Sequence, residues 1–333
     1  MIGTKWIQSY LSVSVFVLFF VLVTACEKTD YDLLDPYSAG VWTLYTTKDG
    51  IPGNQVLDIK LDRDGKLWFA FSDKGVVSYL NGTITGYNTS NSYIINDFTT
   101  SLGQMSDGSI VIGTVDGISL RTMNDQWDSY KDPEVSSMYI NTIEIASNGT
   151  VWLGTESQCL YINEGSGFYH LYDAAYEDVN IIEEDSGHNI WIGTDNGLIK
   201  WDGSNFSIIT ESDGLPENEI TALFNDSKGR LWIGTGGGET VSWLDDSGLH
   251  QLSLITGNEG IYVKDIFEDR KGDIWFATWF DGLIRFDGVI SHSYKVYNGF
   301  YENDVNTIGE DIDGNLWFGL YSKGLVKYTL PLE

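Results

Sequence analysis

Apolar and polar residues alternate along most of this chain, and a Gly or an Asp-Gly pair interrupts the alternation about every ten residues. The stretch from Asn189 to Gly203 shows the pattern, with Ile190, Ile192 and Leu198 at alternating positions around turn glycines. A period of two is typical of β-strands, whereas a helix repeats its apolar residues at intervals of three and four. The pattern therefore predicts short strands joined by tight turns.

This stretch is a repeat unit and not a motif with its own chemistry. The stretch occurs in seven copies. The position of Trp191, which we call the anchor, is occupied by Trp68, Val111, Trp152, Trp191, Trp232, Trp275 and Trp317. Successive anchors are 39 to 43 residues apart, which matches the roughly 40–45 residues of a four-stranded propeller blade. The sequence therefore predicts an all-β fold, a seven-bladed β-propeller of four-stranded blades.

The ends of the repeat array predict how the ring closes. The last copy stops after its third strand, near Tyr328, and an orphan strand from Val41 to Thr46 lies at the other end of the array. The loop after that strand, Asp49 to Asn54, matches the loop that follows the fourth strand of a complete copy. We expect this N-terminal strand to complete the last blade, which leaves no open sheet edge.

The repeated motifs resemble the two-component regulator propeller repeat. The best copies are Asp213 to Asn218, which reads Asp-Gly-Leu-Pro-Glu-Asn, and Ile190 to Gly203, which contains Trp-Ile-Gly-Thr and Asn-Gly-Leu. In that family, two such propellers, a β-sandwich and a membrane helix precede a histidine kinase. Because one propeller is present here, the resemblance implies only the ligand-facing half of a sensor.

The N-terminal segment has a different pattern. Lys5 precedes an almost unbroken apolar run from Leu11 to Val23, which is short for a membrane span and typical of a signal peptide. The residues that follow, up to Cys26, resemble the lipobox of bacterial lipoproteins. An uncleaved anchor, or an ordinary secretory signal with an incidental cysteine, is the alternative.

This resemblance implies a domain order and a location. Residues 1–25 would be a lipoprotein signal peptide, residues 26–40 an acidic tether, and residues 41–333 the propeller. A lipid on Cys26 would hold the protein at the bacterial outer membrane, facing the periplasm or the exterior. The second cysteine, Cys159, lies in a predicted strand and is expected to be a small buried apolar side chain.

Charge and motif content exclude several classes of function. The formal net charge of −29 repels nucleic acid and anionic membrane surfaces. The four His share no metal-ligand spacing with Cys or carboxylates. The segments that begin at Asp62 and Asp311 resemble the start of a calcium loop, but they lack its distal Glu and coincide with repeat turns. We expect no metal, no cofactor and no catalysis.

Loop lengths single out one sector of the ring. Between the anchor and the next glycine the usual spacing is six residues, as from Trp191 to Gly197. The spacing is seven residues from Trp68 to Gly75, from Trp275 to Gly282 and from Trp317 to Gly324. In propellers these loops lie at one end of the central channel, and the three copies become neighbours when the ring closes.

These longer loops combine aromatic and polar side chains, which suit the stacking and orientation of an amphipathic ligand such as a saccharide. The candidate ligand-binding residues are Phe71, Asp73, Lys74, Trp279, Phe280, Asp281, Tyr321, Ser322 and Lys323. Loops between blades add Tyr93, Tyr139, Tyr176, Tyr262, Phe300 and Tyr301. Neutral variation in loop length is the alternative interpretation.

The sequence thus predicts a non-catalytic propeller that binds a carbohydrate, a small molecule or an envelope protein. The first alternative is a polysaccharide lyase or glycoside hydrolase, which would need two carboxylates facing each other across the channel mouth, about 5–10 Å apart. The second alternative is a platform for protein interactions, which would have a flat mouth.

Overall fold

The computed structural model describes residues 40–129, 134–156, 159–172, 178–254 and 260–330. Within these residues there are seven antiparallel sheets of four strands each. The predicted signal peptide, the tether up to residue 39 and Cys26 lie outside the described residues. The prediction of seven four-stranded blades is confirmed.

The first four blades follow one another along the chain. Blade 1 contains β2 (Val56–Leu61), β3 (Leu67–Phe71), β4 (Gly75–Leu80) and β5 (Thr83–Tyr87). Blade 2 contains β6 (Thr99–Gln104), β7 (Ile110–Thr114), β8 (Gly117–Arg121) and β9 (Trp127–Ser129). Blade 3 contains β10 (Ile140–Ile145), β11 (Val151–Thr155), β12 (Cys159–Asn163) and β13 (Tyr169–Tyr172). Blade 4 contains β14 (Val179–Glu184), β15 (Ile190–Thr194), β16 (Gly197–Trp201) and β17 (Phe206–Ile209).

The remaining blades complete the ring. Blade 5 contains β18 (Ile220–Asn225), β19 (Leu231–Thr235), β20 (Thr240–Asp245) and β21 (Gly248–Ser253). Blade 6 contains β22 (Tyr262–Glu268), β23 (Ile274–Trp279), β24 (Leu283–Phe286) and β25 (Ser291–Tyr294). Blade 7 contains β26 (Val305–Glu310), β27 (Leu316–Leu320), β28 (Leu325–Thr329) and β1 (Val41–Tyr45).

Helical structure in the described ranges is confined to three-residue 3-10 turns at Thr47–Asp49, Glu211–Asp213 and Val296–Asn298. None of the described helical segments has the length and apolar character needed to cross a membrane.

The N-terminal strand closes the ring as predicted. β1 pairs antiparallel with β28 over five positions, from Val41 opposite Thr329 to Tyr45 opposite Leu325. The indole of Trp42 packs on Tyr328 at 4.5 Å and on Phe318 at 5.7 Å between ring centroids. The strand that begins the propeller therefore joins blade 7 through both backbone pairing and aromatic packing.

The first strands of the blades form the inner wall. They contact one another in the order β2, β6, β10, β14, β18, β22 and β26, and β26 contacts β2 again. Blades 6, 7 and 1 are therefore neighbours, as the loop analysis requires. Hydrophobic clusters fill the spaces between adjacent blades, for example Trp317 of blade 7 with Phe69 and Val77 of blade 1.

The anchor tryptophans are held by a recurrent polar contact. In five blades the indole N–H donates to the carboxylate six residues earlier, at distances of 2.7–3.0 Å. These pairs are Asp62–Trp68, Asp185–Trp191, Asp226–Trp232, Asp269–Trp275 and Asp311–Trp317. The same carboxylate accepts N–H donors of its own turn, as Asp62 does from Asp64 and Lys66. We call this contact the Asp–Trp clasp, and it explains the segments that resemble calcium loops as turns.

Two blades depart from the clasp in different ways. Blade 2 has Met105 and Val111 in the two positions, so both partners are apolar. Blade 3 keeps Trp152 but has Ala146 in place of the aspartate. Replacing both partners of a buried hydrogen bond by apolar groups is nearly neutral, whereas removing one leaves an unsatisfied group.

Candidate functional site

The central channel opens on the face where the first strand of each blade begins and the second strand ends. Its cavity has a volume of about 290 Å³ and is lined by residues of all seven blades. Most of the wall comes from the second and third positions of the first strands, which are the third and fourth positions in the longer β22. These residues are Leu57, Asp58, Thr100, Ser101, Asn141, Thr142, Asn180, Ile181, Thr221, Lys264, Asp265, Asn306 and Thr307. The channel therefore has a mainly polar wall set by two positions of the repeat.

Hydrogen bonds run around this wall from blade to blade. The strand register shifts at the second position, so the side chain there reaches the backbone of the neighbouring blade. The donors are Asn141 to the Val179 carbonyl (3.1 Å), Asn180 to Ile220 (3.1 Å), Thr221 to Val263 (2.5 Å) and Asn306 to Val56 (2.9 Å). These hydrogen bonds connect the inner strands of adjacent blades and fix the position of the side chains that line the channel.

Two wall aspartates accept backbone donors of the next blade. Asp58 accepts the Leu102 N–H and Asp265 accepts the Ile308 N–H, both at 2.7 Å. Burial raises the pKa of Asp58. Burial also raises the pKa of Asp265 to about 7, and the Asp58 carboxylate adds to this, although the Ile308 N–H lowers it. Both carboxylates are thus structural acceptors in a low-dielectric wall.

The raised pKa of Asp265 predicts that the stability of the folded ring falls as the pH rises. The unfolded chain releases the aspartate protons near pH 4, whereas the folded ring retains the Asp265 proton to about pH 7. The folded state therefore binds more protons between these values, and deprotonation at higher pH destabilises it. We expect the ionisation of Asp265 to contribute a drop of roughly 2 kcal/mol in the free energy of unfolding from pH 5 to pH 7, measured by urea denaturation.

The matched variant is Asp265→Asn, which stays neutral at every pH and keeps an oxygen for one of the two backbone donors, Ile266 and Ile308. Its pH dependence should be flatter than that of the natural protein. An equal slope in both proteins would contradict the assignment to Asp265.

Aromatic rings and one ammonium group meet on the blade 6 side of the mouth. The rings of Tyr262 and Trp279 stack with centroids 5.0 Å apart, and the Lys264 ammonium lies 4.6 Å from the Trp279 centroid. The Tyr262 hydroxyl donates to Glu219 at 2.8 Å. Burial lowers the pKa of Lys264, and burial together with the Glu219 contact raises the pKa of Tyr262. We call Tyr262, Lys264 and Trp279 the mouth cluster.

The mouth widens into a second cavity of about 330 Å³. Its lining residues are Tyr139, Asn141, Glu156, Asp178, Asn180, Thr221, Tyr262 and Lys264. Five of them, Tyr139, Asn141, Asn180, Thr221 and Lys264, also line the channel cavity. The two cavities are therefore parts of one concave site with aromatic, amide, carboxylate and ammonium groups, the composition of a small-ligand site.

The structure brings three of the sequence candidates together. The ring centroid of Trp279 lies 6.3 Å from that of Phe280 and 6.4 Å from that of Tyr321. Phe280 and Tyr321 are exposed, by 67% and 46%, so their rings are available to a ligand. Among the sequence candidates from the longer loops, all of which the structure describes, Trp279 alone lines the channel cavity.

Two candidates do not reach the ligand surface. Phe71 is 0% exposed and packs in the core between blades 7 and 1, so it cannot stack on a ligand. Asp281 is 1% exposed and forms an ion pair with the Lys295 ammonium. The structure thus places Phe71 at the end of strand β3 and not in a loop, and it places Asp281 against Lys295 and away from the channel.

The other candidates make local contacts on the same face. Asp73 and Lys74 form an exposed ion pair with an N–O distance of 2.8 Å. Ser322 donates from its N–H and hydroxyl to Glu302, and the Lys323 ammonium donates to the Tyr301 carbonyl at 2.7 Å.

Of the aromatic residues predicted from the loops between blades, Tyr139 and Tyr262 lie at the mouth. Phe300 is buried against Trp42, Tyr301 donates to the Trp42 carbonyl at 3.1 Å, and Tyr93 is 74% exposed. Tyr176 lies outside the described residues.

Sequence reasoning missed Lys264, Asn141, Asn180 and Thr221. All occupy the same position of the repeat, which is the second residue of a first strand or, for Lys264 in the longer β22, the third. Other copies have Leu57, Thr100 and Asn306 there. A comparison of that position across the seven copies would have shown its polar character, whereas the loop lengths pointed to blades 6, 7 and 1 only. Within the described ranges no group of His, Cys, Asp and Glu is arranged to hold a metal ion.

Comparison with solved structures finds the same fold in proteins of different kinds. The extracellular domain of a protein described as a hybrid two component system from B. thetaiotaomicron matches with a TM-score of 0.72 and 17% identity over 88% of this chain, which spans 42% of that domain. A virginiamycin B lyase from Staphylococcus aureus, solved with quinupristin, matches with a TM-score of 0.70 and 17% identity over 88% of this chain and 100% of that one. A structure described as YCF48 bound to D1 peptide matches with a TM-score of 0.65 and 13% identity over 87% and 97%.

Sequence comparison identifies the repeat. No curated protein matches the chain. The family model described as Two component regulator propeller matches residues 50–73, 214–237 and 257–280. These segments contain the turn, inner strand and second strand of blades 1, 5 and 6. The chain is a seven-bladed propeller in which blades 1, 5 and 6 carry matches to the two component regulator propeller model.

Proposed function

We propose that this propeller is a non-catalytic sensing or capture domain that binds a carbohydrate at the channel mouth. The observation that carries the proposal is the mouth cluster, where the stacked rings of Tyr262 and Trp279 lie beside a polar cavity of about 330 Å³. Aromatic rings pack on the C–H faces of sugars, and the amides and carboxylates supply acceptors and donors for hydroxyl groups.

The repeat family and the location support this role. The extracellular domain of a described hybrid two component system has the same fold. An extracytoplasmic position fits the predicted signal peptide, and a lipid on Cys26 would hold the propeller at the outer membrane of a bacterium. An envelope protein is the proposed receiver of the signal.

Binding by the mouth is tested with a glycan array followed by calorimetry on the oligosaccharide selected. Trp279→Ala is expected to lower the affinity at least tenfold, because the ring lines the cavity and also supports Tyr262 and Tyr321. The matched control is Tyr297→Ala, which removes an aromatic ring that is 80% exposed on the same blade and lines neither mouth cavity. Unchanged affinity in Trp279→Ala, with an unchanged melting temperature, would rule out the mouth.

The enzyme alternative has one supporting observation, which is the shared fold with a virginiamycin B lyase. Against it, the wall carboxylates Asp58 and Asp265 each accept backbone N–H donors on both sides of a blade junction. Carboxylates held in this way support the ring and are poorly placed to transfer protons. The protein-platform alternative requires a flat mouth, and the cavity argues against it.

A further inference from the structure

The clasp of blade 3 lacks its acceptor. Trp152 is 5% exposed, and its indole N–H has no hydrogen-bond partner among the described residues. In the five complete clasps the same N–H points to the residue six positions earlier, which in blade 3 is Ala146. A buried donor without a partner is unfavourable, and blade 2 avoids that cost by having no tryptophan.

A cavity lies at this position, between blades 3 and 4 on the face opposite the channel mouth. Its volume is about 290 Å³, and both Ala146 and Trp152 line it. The other lining residues are Ser147, Asn148, Glu184, His188, Ile190, Trp201 and Gly203. The missing carboxylate of the clasp therefore coincides with a cavity that has an aromatic and aliphatic wall and a polar rim.

The charge of the rim decides which acceptor fits. Glu184 accepts the N–H and hydroxyl of Ser147, at 2.5 and 2.7 Å, and contacts His188. Burial raises the pKa of Glu184, but these donors outweigh it and hold the pKa below its usual value, so the group is an anion. A second carboxylate beside it would be repelled, because blade 3 has Thr150 where blade 5 has Arg230, whose guanidinium pairs with Asp226. The vacant place favours a neutral carbonyl oxygen with a small apolar substituent.

We propose that this cavity binds the acetamido group of an N-acetylated sugar. The acetamido carbonyl accepts the Trp152 N–H in the place of the absent aspartate, and its methyl group packs on Ala146 and Ile190. The sugar ring lies against Trp201, with its hydroxyl groups toward Asn148 and His188 at the rim. This site is separate from the channel mouth, and either site can be present without the other.

The experiment titrates the purified protein with N-acetylglucosamine while the indole N–H signals are followed by NMR. The Trp152 signal is identified as the one absent from Trp152→Phe. We expect it to shift on binding, and we expect glucose, which lacks the acetamido group, to bind at least fivefold more weakly. No shift of the Trp152 signal, or equal binding of the two sugars, would overturn the proposal. Tighter binding of an N-acetylated dipeptide amide would also overturn it, because the carbonyl would then belong to a peptide.

Two variants separate binding from folding. Ala146→Asn gives the Trp152 N–H a neutral acceptor and fills the cavity, so it should abolish binding while its melting temperature is at least that of the natural protein. The turn accommodates a side chain of this size, since blade 5 has Asp226 at the same position beside the same serine–glutamate contact, Ser227 to Glu268. Trp152→Phe keeps the ring volume and should bind at least fivefold more weakly. Unchanged affinity in either variant would refute the site, and Trp279→Ala should leave it unaffected.

Discussion

A chain that begins at residue 47, and so lacks β1, is expected to lose the cooperative unfolding transition of the closed ring. β28 would be left as an open edge with five unpaired positions, and the aromatic surface that receives Trp42 would face water. Truncation of a fully buried tryptophan costs about 3–5 kcal/mol, and the half-buried Trp42 contributes part of that amount. Together with the strand pairing, this loss approaches the roughly 5–15 kcal/mol that holds a typical domain folded.

The control is a chain that begins at residue 40, which removes the N-terminal segment but keeps β1. It should unfold in a single transition, measured by circular dichroism and calorimetry, at the melting temperature of the longer chain. Equal melting temperatures for the chains that begin at 40 and at 47 would show that the pairing of β1 with β28 is dispensable.

Asp226→Ala is expected to destabilise the propeller by about 3–4 kcal/mol. The buried carboxylate accepts four donors: the Trp232 indole N–H at 2.8 Å, the backbone N–H groups of Lys228 and Arg230, and the Arg230 guanidinium at 2.6 Å. Truncation leaves the indole and the turn amides without their acceptor, in the environment that Trp152 has in blade 3. Urea denaturation at pH 7 measures the change.

The matched control is Asp245→Ala in the same blade. Asp245 also accepts turn donors, from the N–H and hydroxyl of Ser247, but its side chain is 32% exposed and water can replace it. A smaller loss is expected for this variant. If the two variants lost equal stability, the buried indole contact would have no special role in the clasp.

The variants of the clasp and of the mouth act on opposite faces of one ring. Asp226 lies in the turn between the first and second strands, and Trp152 lies at the start of a second strand. Trp279 and Tyr262 lie where the second strand ends and the first begins. Effects on stability at one face should therefore leave ligand affinity at the other face unchanged. Measuring both quantities for each variant distinguishes a local defect from a loosened ring.

The sequence alone determined the architecture of this protein. Period-two alternation specifies strands, and seven anchors at a blade-length spacing specify the number of sheets. Closure followed from the unmatched strand at Val41, because a blade with three strands has an edge that only a fourth can cover. Each of these inferences depends on contacts within one repeat or between consecutive repeats, and such contacts require similar residues at regular intervals in the sequence.

Only the tertiary structure decided which side chains share a site. Phe71 and Trp279 occupy loops of equal length, yet the packing of blade 7 against blade 1 buries Phe71 and leaves Trp279 at the mouth. Lys264 comes within reach of Asn141 and Asn180 because three inner strands from different blades meet at one channel. Ala146 looks like repeat decay in the sequence, and it becomes a candidate site only when its place beside a cavity and an unpaired indole is known. Burial and cavity shape arise from the closed ring as a whole, so no single repeat encodes them.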